Sequence, residues 1–154
     1  MDLSDNPTGC CPRFHSEPWN DRDFSLEGLK FIRATTVSLF HIPLNMGQVM
    51  TRTQAAIDAA GSRPTDRYLI LSRDLGPWKA EHYFLVSGDV PGFQTLTLPG
   101  EFHARVFEGP YSQMASWYKA MASDDIFAFY TTCPNCAKAY GKNYVVLLAR
   151  NAAA

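Results

Sequence analysis

Residues 40–47 read FHIPLNMG and residues 107–114 read FEGPYSQM. Each octapeptide has Phe, a titratable residue, a spacer, Pro, a large apolar residue and a small polar one. In alignment Phe40 meets Phe107, His41 meets Glu108, Pro43 meets Pro110 and Asn45 meets Ser112. Proline fixes φ and lacks an N–H, so it interrupts a strand but suits the first turn of a helix. Both stretches therefore read as corners where a strand passes into a helix. A short chain that writes one corner twice is expected to be a tandem repeat.

The flanking sequence fits that reading. Residues 29–41 (LKFIRATTVSLFH) are β-branched and apolar, as in a strand. Asn45 is expected to cap the helix that follows. There Met46, Val49, Met50, Thr53, Ala56, Ile57 and Ala60 fall on one face, and Gly61 supplies the stop. Residues 67–73 (RYLILSR) and 81–87 (EHYFLVS) read as strands around a Gly-Pro loop. In the second half, residues 95–98 lead through Pro99-Gly100 into the strand EFHARVFE (101–108). Ser112 is a second expected cap, and Met114, Trp117, Tyr118 and Met121 form a helical stripe. Residues 126–131 and 143–149 read as the last strands, with TCPNCAKAYGK between them as a hairpin.

Each half is thus strand, helix, strand, strand. One such unit cannot cover its own sheet. Two, related by a pseudo-twofold, build an α+β domain with one antiparallel sheet, both helices on one face and a ligand cleft on the other. The expected organisation is an irregular arm over residues 1–28, packed on a single domain over residues 29–151. Its repeats cover about residues 29–90 and 94–150.

Composition narrows the function. The chain has 154 residues, enough for one domain with a real core. Its net charge is −1 with no block of like charge, so nothing argues for nucleic acid or an anionic membrane as partner. No run is long and apolar enough for a membrane helix, and the acidic N-terminus lacks the apolar core of a signal peptide. A cytoplasmic location and a monomer or homodimer are the expectations. There the four cysteines are thiols or metal ligands.

The stretch LTLPGEFHARVFEGPYSQMASWYKAM (96–121) resembles the second half of the GyrI-like effector-binding domain. It has that family's Leu-Pro-Gly strand turn, alternating strand and Gly-Pro-Tyr corner opening a Trp-bearing helix. EHYFLVSGDVPG (81–92) resembles the strand that ends the family's first half. The resemblance covers roughly residues 30–150. It implies a βαββ-βαββ fold with a small-molecule cleft. Some members sense drugs, some sequester them, and a branch hydrolyses strained rings. The two cysteine motifs and HIPLNMGQVMTR resemble a narrower bacterial group described only as hydrolases. The implied function is a small-molecule hydrolase acting on an aromatic or strained electrophile. The alternative is a non-catalytic drug-binding or sequestering protein. No organic cofactor is expected.

Among the residues, His41 and Glu108 occupy equivalent corners. Facing each other across a cleft, they could exchange a proton with substrate and water. Either could equally brace its corner, Glu108 through the dipole of the following helix. In E81-H82-Y83, strand alternation sends Glu81 and Tyr83 to one face and His82 to the other. If Phe84 and Val86 share the helix-covered face with His82, Glu81 and Tyr83 point into the cleft. A carboxylate beside a phenol suits water activation, or a cationic or hydrogen-bonding ligand. Trp78, Tyr111, Trp117 and Tyr130 are further ligand-binding expectations, although Trp117 lies on the apolar stripe and equally suits the core.

Cys133-Pro-Asn-Cys136 has the spacing of a metal knuckle, and no helix N-terminus is evident there to favour a redox dithiol. Zinc needs four ligands. Cys10 and Cys11 on the arm would complete a structural zinc site, with His15 or His103 as substitute fourth ligand should the vicinal cysteines diverge.

Overall fold

In a computed structural model, which describes residues 7, 9, 11–40, 42–65, 67–131 and 134–150, the chain begins with β1 (Arg22–Ser25), β2 (Lys30–Leu39) and the short β3 (Ile42–Pro43). Helix α1 (Met46–Ala59) follows, then β4 (Ile70–Asp74), β5 (Lys79–Val86), β6 (Thr95–Leu96) and β7 (Glu101–Glu108). A 3-10 turn (Tyr111–Gln113) opens α2 (Met114–Met121), and β8 (Ile126–Tyr130), α3 (Pro134–Tyr140) and β9 (Tyr144–Arg150) complete the order. The fold class is α+β, and the strand pairings are antiparallel. The described residues form two compact units, one of residues 27–65 and 69–98, the other of the remainder.

In the first unit the strands run β4-β5-β2-β3, with β6 pairing the start of β2. Burial alternates along β2: Ile32, Ala34, Thr36 and Ser38 are buried, whereas Arg33, Thr35 and Val37 are exposed. Helix α1 packs against β2 and buries Val49, Thr53 and Ile57. Its stripe needs an apolar floor, and the evenly buried face of β2 supplies one. The helix ends at Ala60 and Gly61 (φ +65), as the sequence implies. Asn45 stands at the N-cap position, but its side chain makes no capping bond. Its Oδ1 accepts from the Val37 N–H at 2.9 Å instead, and the Leu44 N–H donates to the Val37 carbonyl. The free edge of β2 is thereby closed at this end.

In the second unit the order is β1-β7-β9-β8. Trp117 packs in a cluster with Ile126, Ala128, Val145, Leu147 and Ala149, joined by Met114, Tyr118 and Met121. The whole helical stripe read from sequence thus serves one sheet face. Aromatic side chains of the arm meet the neighbouring ladder: the Trp19 ring lies 5.3 Å from Phe24 and 5.5 Å from Phe129, and Phe14 lies 5.5 Å from Tyr144. The arm is therefore less irregular than expected. Its end forms β1, in register with Phe102 and its neighbours, and Asn20 extends the contact by accepting from the Val106 N–H.

Two local expectations are corrected. Ser112 is not a cap: it lies inside the 3-10 turn, which opens after Pro110. The CPNC segment is not a hairpin, because Pro134–Tyr140 is helical. Proline is at home in a first helical turn, Ala-Lys-Ala favours continuation, and Gly141 (φ +71) stops it.

Candidate functional site

The middle of β5 presents two different chemistries on its two faces. Register places Thr35, Glu81 and Arg73 side by side, and Arg33, Tyr83 and Leu71 in the next row. On this face the Glu81 side chain is 9% exposed. Its Oε1 accepts from Arg73 Nη2 at 3.2 Å and from the Tyr83 hydroxyl at 3.3 Å. Its Oε2 lies 3.3 Å from Arg33 Nη1. Arg33 and Arg73 remain open to solvent, at 46% and 32%. Burying a carboxylate is costly unless it is paired, and the two guanidiniums meet that demand. The expected shared face of Glu81 and Tyr83, opposite His82 and Phe84, follows from the same register.

The other face carries His82, which is 2% exposed. Thr36 Oγ1 is 2.9 Å from its Nε2, and Ser72 Oγ is 2.7 Å from its Nδ1. Neutral imidazole has one donor and one acceptor nitrogen, and a hydroxyl can partner either. Burial pushes the His82 pKa below its ordinary 6.5, while the charges of Asp74 and Glu81 pull the other way. The imidazole is therefore neutral at physiological pH, and the trio is a satisfied polar insert in the helix-side core.

The remaining residues singled out from sequence lie elsewhere. His41 falls outside the described residues. Glu108 ends β7, exposed, in register with Tyr144. Trp78 is 52% exposed and stands 5.1 Å from Phe40, itself 69% exposed. Val37, Leu39, Leu44 and Leu75 are also exposed in this unit. Tyr111 and Tyr130 form an edge-on pair in the second unit, with centroids 5.9 Å apart. Trp117 is in the core, stacked on Phe107 at 5.5 Å.

Sequence reading missed Arg33, Arg73, Thr36 and Ser72. One signal was present: a lone arginine inside the apolar run LKFIRATTV requires a partner. Which partner depends on cross-strand register, and that is not local.

Cys10 and Cys133 lie outside the described residues. Cys136 is buried on α3, and Cys11 is half-buried on the arm. The Tyr140 hydroxyl donates to the Cys11 carbonyl at 2.6 Å, and the Arg13 guanidinium lies over the Tyr140 ring. This tie holds the arm's cysteine segment to the helix that carries Cys136. Among the described residues no group of three or more His, Cys, Asp and Glu side chains is arranged to hold a metal. His103 is engaged by Asp23 at 2.9 Å. His15 lines a recess of about 410 Å³ with Arg13, Phe14, Tyr140 and Tyr144.

Among the described residues no helix is long and apolar enough to cross a membrane. Fold and site together define a mixed α+β protein with antiparallel ladders and an ionised cluster, partly open to solvent, on one sheet face. The chain belongs to the family described as bacterial hydrolase, whose model matches residues 1–151. No curated protein matches it.

Proposed function

We propose that the protein is a small-molecule hydrolase of the GyrI-like type, acting on an aromatic or strained electrophile. Glu81 is the carboxylate that activates water, and Tyr83 is its proton partner. Family membership supports the reaction class. The observation that carries the site is Glu81 itself. A carboxylate offers about four acceptor positions. Its three recorded donors stand at 3.2 to 3.3 Å, looser than the roughly 2.7–2.9 Å of a tight charged hydrogen bond. Among the described residues Oε2 has Arg33 alone, which leaves it able to accept from a water.

In the step, the water oxygen bonds to the electrophilic carbon and its proton passes to Glu81. The bond from that carbon to the leaving group, or the strained ring bond, breaks. Tyr83 gives its hydroxyl proton to the departing atom. Glu81 then returns a proton to the phenolate 3.3 Å away, restoring both groups. The exposed Phe40–Trp78 pair in the same unit supports an aromatic substrate.

The test is hydrolysis of a panel of aryl esters, epoxides and activated cyclopropanes. The near-isosteric Glu81→Gln variant is expected to lose about 100-fold or more in turnover, and Tyr83→Phe about 10-fold or more. A folded Glu81→Gln protein with full turnover overturns the role. Loss on Glu108→Gln instead would move the chemistry to the second unit.

A second reading has one observation in its favour: both Glu81 oxygens already have donors. In a non-catalytic binding or sequestering protein Glu81 would simply organise the two arginines, and bound ligand would be recovered unchanged. We also propose a structural zinc ion held by Cys10, Cys11, Cys133 and Cys136. The Tyr140–Cys11 tie supports it, because it holds the two cysteine segments together.

A further inference from the structure

The sequence alone makes Glu81 look like bait for a cation, and the register changes that sign. Odd-numbered residues of β2, β4 and β5 share the face that Glu81 occupies. On these strands that face carries Arg33, Arg73 and Lys79, and Glu81 is its only carboxylate. Asp74 pairs with Ala80 and so belongs to the other face. Lys79 is paired in register with Val37, one row from Thr35 and Glu81. It is exposed and, among the described residues, has no ion-pair partner. Same-face neighbours along a strand are about 7 Å apart, within the span of one small molecule. Thr35 adds a hydroxyl, and the half-exposed Val37 and Leu39 add apolar surface.

Two guanidiniums balance the charge of Glu81, so it no longer attracts a cation, although Oε2 keeps room for a water. The surplus is positive. We infer that this face takes a small organic anion, a carboxylate, sulfonate or phosphate ester carried on an apolar body, with Arg33 and Lys79 receiving the charge. The inference deepens the hydrolase reading and rests on it for the location of the site. Arg33 serves as the inner contact, since Glu81 fixes its guanidinium while nearly half of the side chain faces solvent. A planar guanidinium held in this way matches the two oxygens of a carboxylate or phosphate. Lys79 acts as an unrestrained outer charge.

The experiment measures binding, not turnover. Three probes of one shape are compared by calorimetry at low and moderate salt: 2-naphthoate, 2-naphthalenemethanol and 2-naphthylmethylammonium. Naphthoate is expected to bind about tenfold or more tightly than the ammonium, and its affinity should fall with salt. Arg33→Gln and Lys79→Gln, both at solvent-exposed side chains, should each weaken naphthoate roughly fivefold and leave the alcohol unchanged. Glu81→Gln should tighten naphthoate while it removes hydrolysis. Equal or tighter binding of the ammonium, no effect of either cation substitution, or no naphthoate binding at millimolar concentration overturns the inference. Retained turnover in Glu81→Gln with the anion preference intact would overturn the catalytic role of Glu81 alone, and no turnover of the panel by wild type with that preference intact would overturn the hydrolase reading alone.

Discussion

The Thr36–His82–Ser72 trio allows a quantitative test of the first unit's core. Thr36 is fully buried, and its hydroxyl sits 2.9 Å from His82 Nε2. Thr36→Val keeps the shape and removes the hydroxyl. The ring nitrogen is then stranded where water has no access, at a cost of about 1–3 kcal/mol. Ser72 is only partly buried, so water can replace its hydroxyl after Ser72→Ala, and about 0.5–1 kcal/mol is expected. For a chain of this size that corresponds to a Tm loss of about 2–12 °C for Thr36→Val and about 1–4 °C for Ser72→Ala.

The acid limb follows from the direction of the His82 shift. Its folded pKa lies below 6.5, mainly through desolvation. Above 6.5 neither state carries the proton, and this residue adds no pH dependence. Below 6.5 the unfolded chain takes up the proton first, so stability falls until the pH passes the folded pKa. Imidazolium needs two acceptors, and Thr36→Val removes one where water cannot replace it, so that variant should lose more than wild type on acidification, and Ser72→Ala less than Thr36→Val. Urea unfolding at pH 7.5 and pH 5.5, with an imidazole NMR titration to locate His82, measures all of this. If Ser72→Ala costs as much as Thr36→Val at pH 7.5, or His82 titrates above 6.5, the account of the trio is wrong.

Other outcomes follow from the second unit. Gly109 has φ +148, and an added Cβ would lie 3.2 Å from Trp117 Cζ2, so Gly109→Ala should cost about 1–3 kcal/mol in thermal denaturation. An unchanged Tm would mean that the corner relaxes freely. Trp117→Ala empties the centre of the cluster under α2 and should cost about 3–5 kcal/mol. A cost under 1 kcal/mol would place the ring outside the core. With the zinc reading, purified protein should hold about one zinc per chain by elemental analysis and lose it on Cys136→Ser. A metal-free native protein would refute that reading.

Local pattern made part of this molecule legible. Proline corners, a terminal glycine and the spacing of Met114, Trp117, Tyr118 and Met121 located α1 and α2, because each signal acts within a few residues. Strand alternation alone separated Glu81 and Tyr83 from His82. The rest was hidden for physical reasons. Asn45 looks like a cap and stands at the cap position, yet a sheet edge eight residues away takes its amide oxygen. Pro134 is equally compatible with a turn and with a helix start, and only the latter is found. The arginines beside Glu81 come from two other strands, and their approach is fixed by register that no single stretch encodes.

That Asn45 bond also bears on how copies of the chain treat one another. An exposed strand margin invites the same margin of a second molecule, and such pairing grows into fibres. By spending its side chain on Val37, Asn45 forgoes fastening the helix start and blocks one end of that docking seam. Removing it should show less in the melting point than in how long concentrated solutions stay clear.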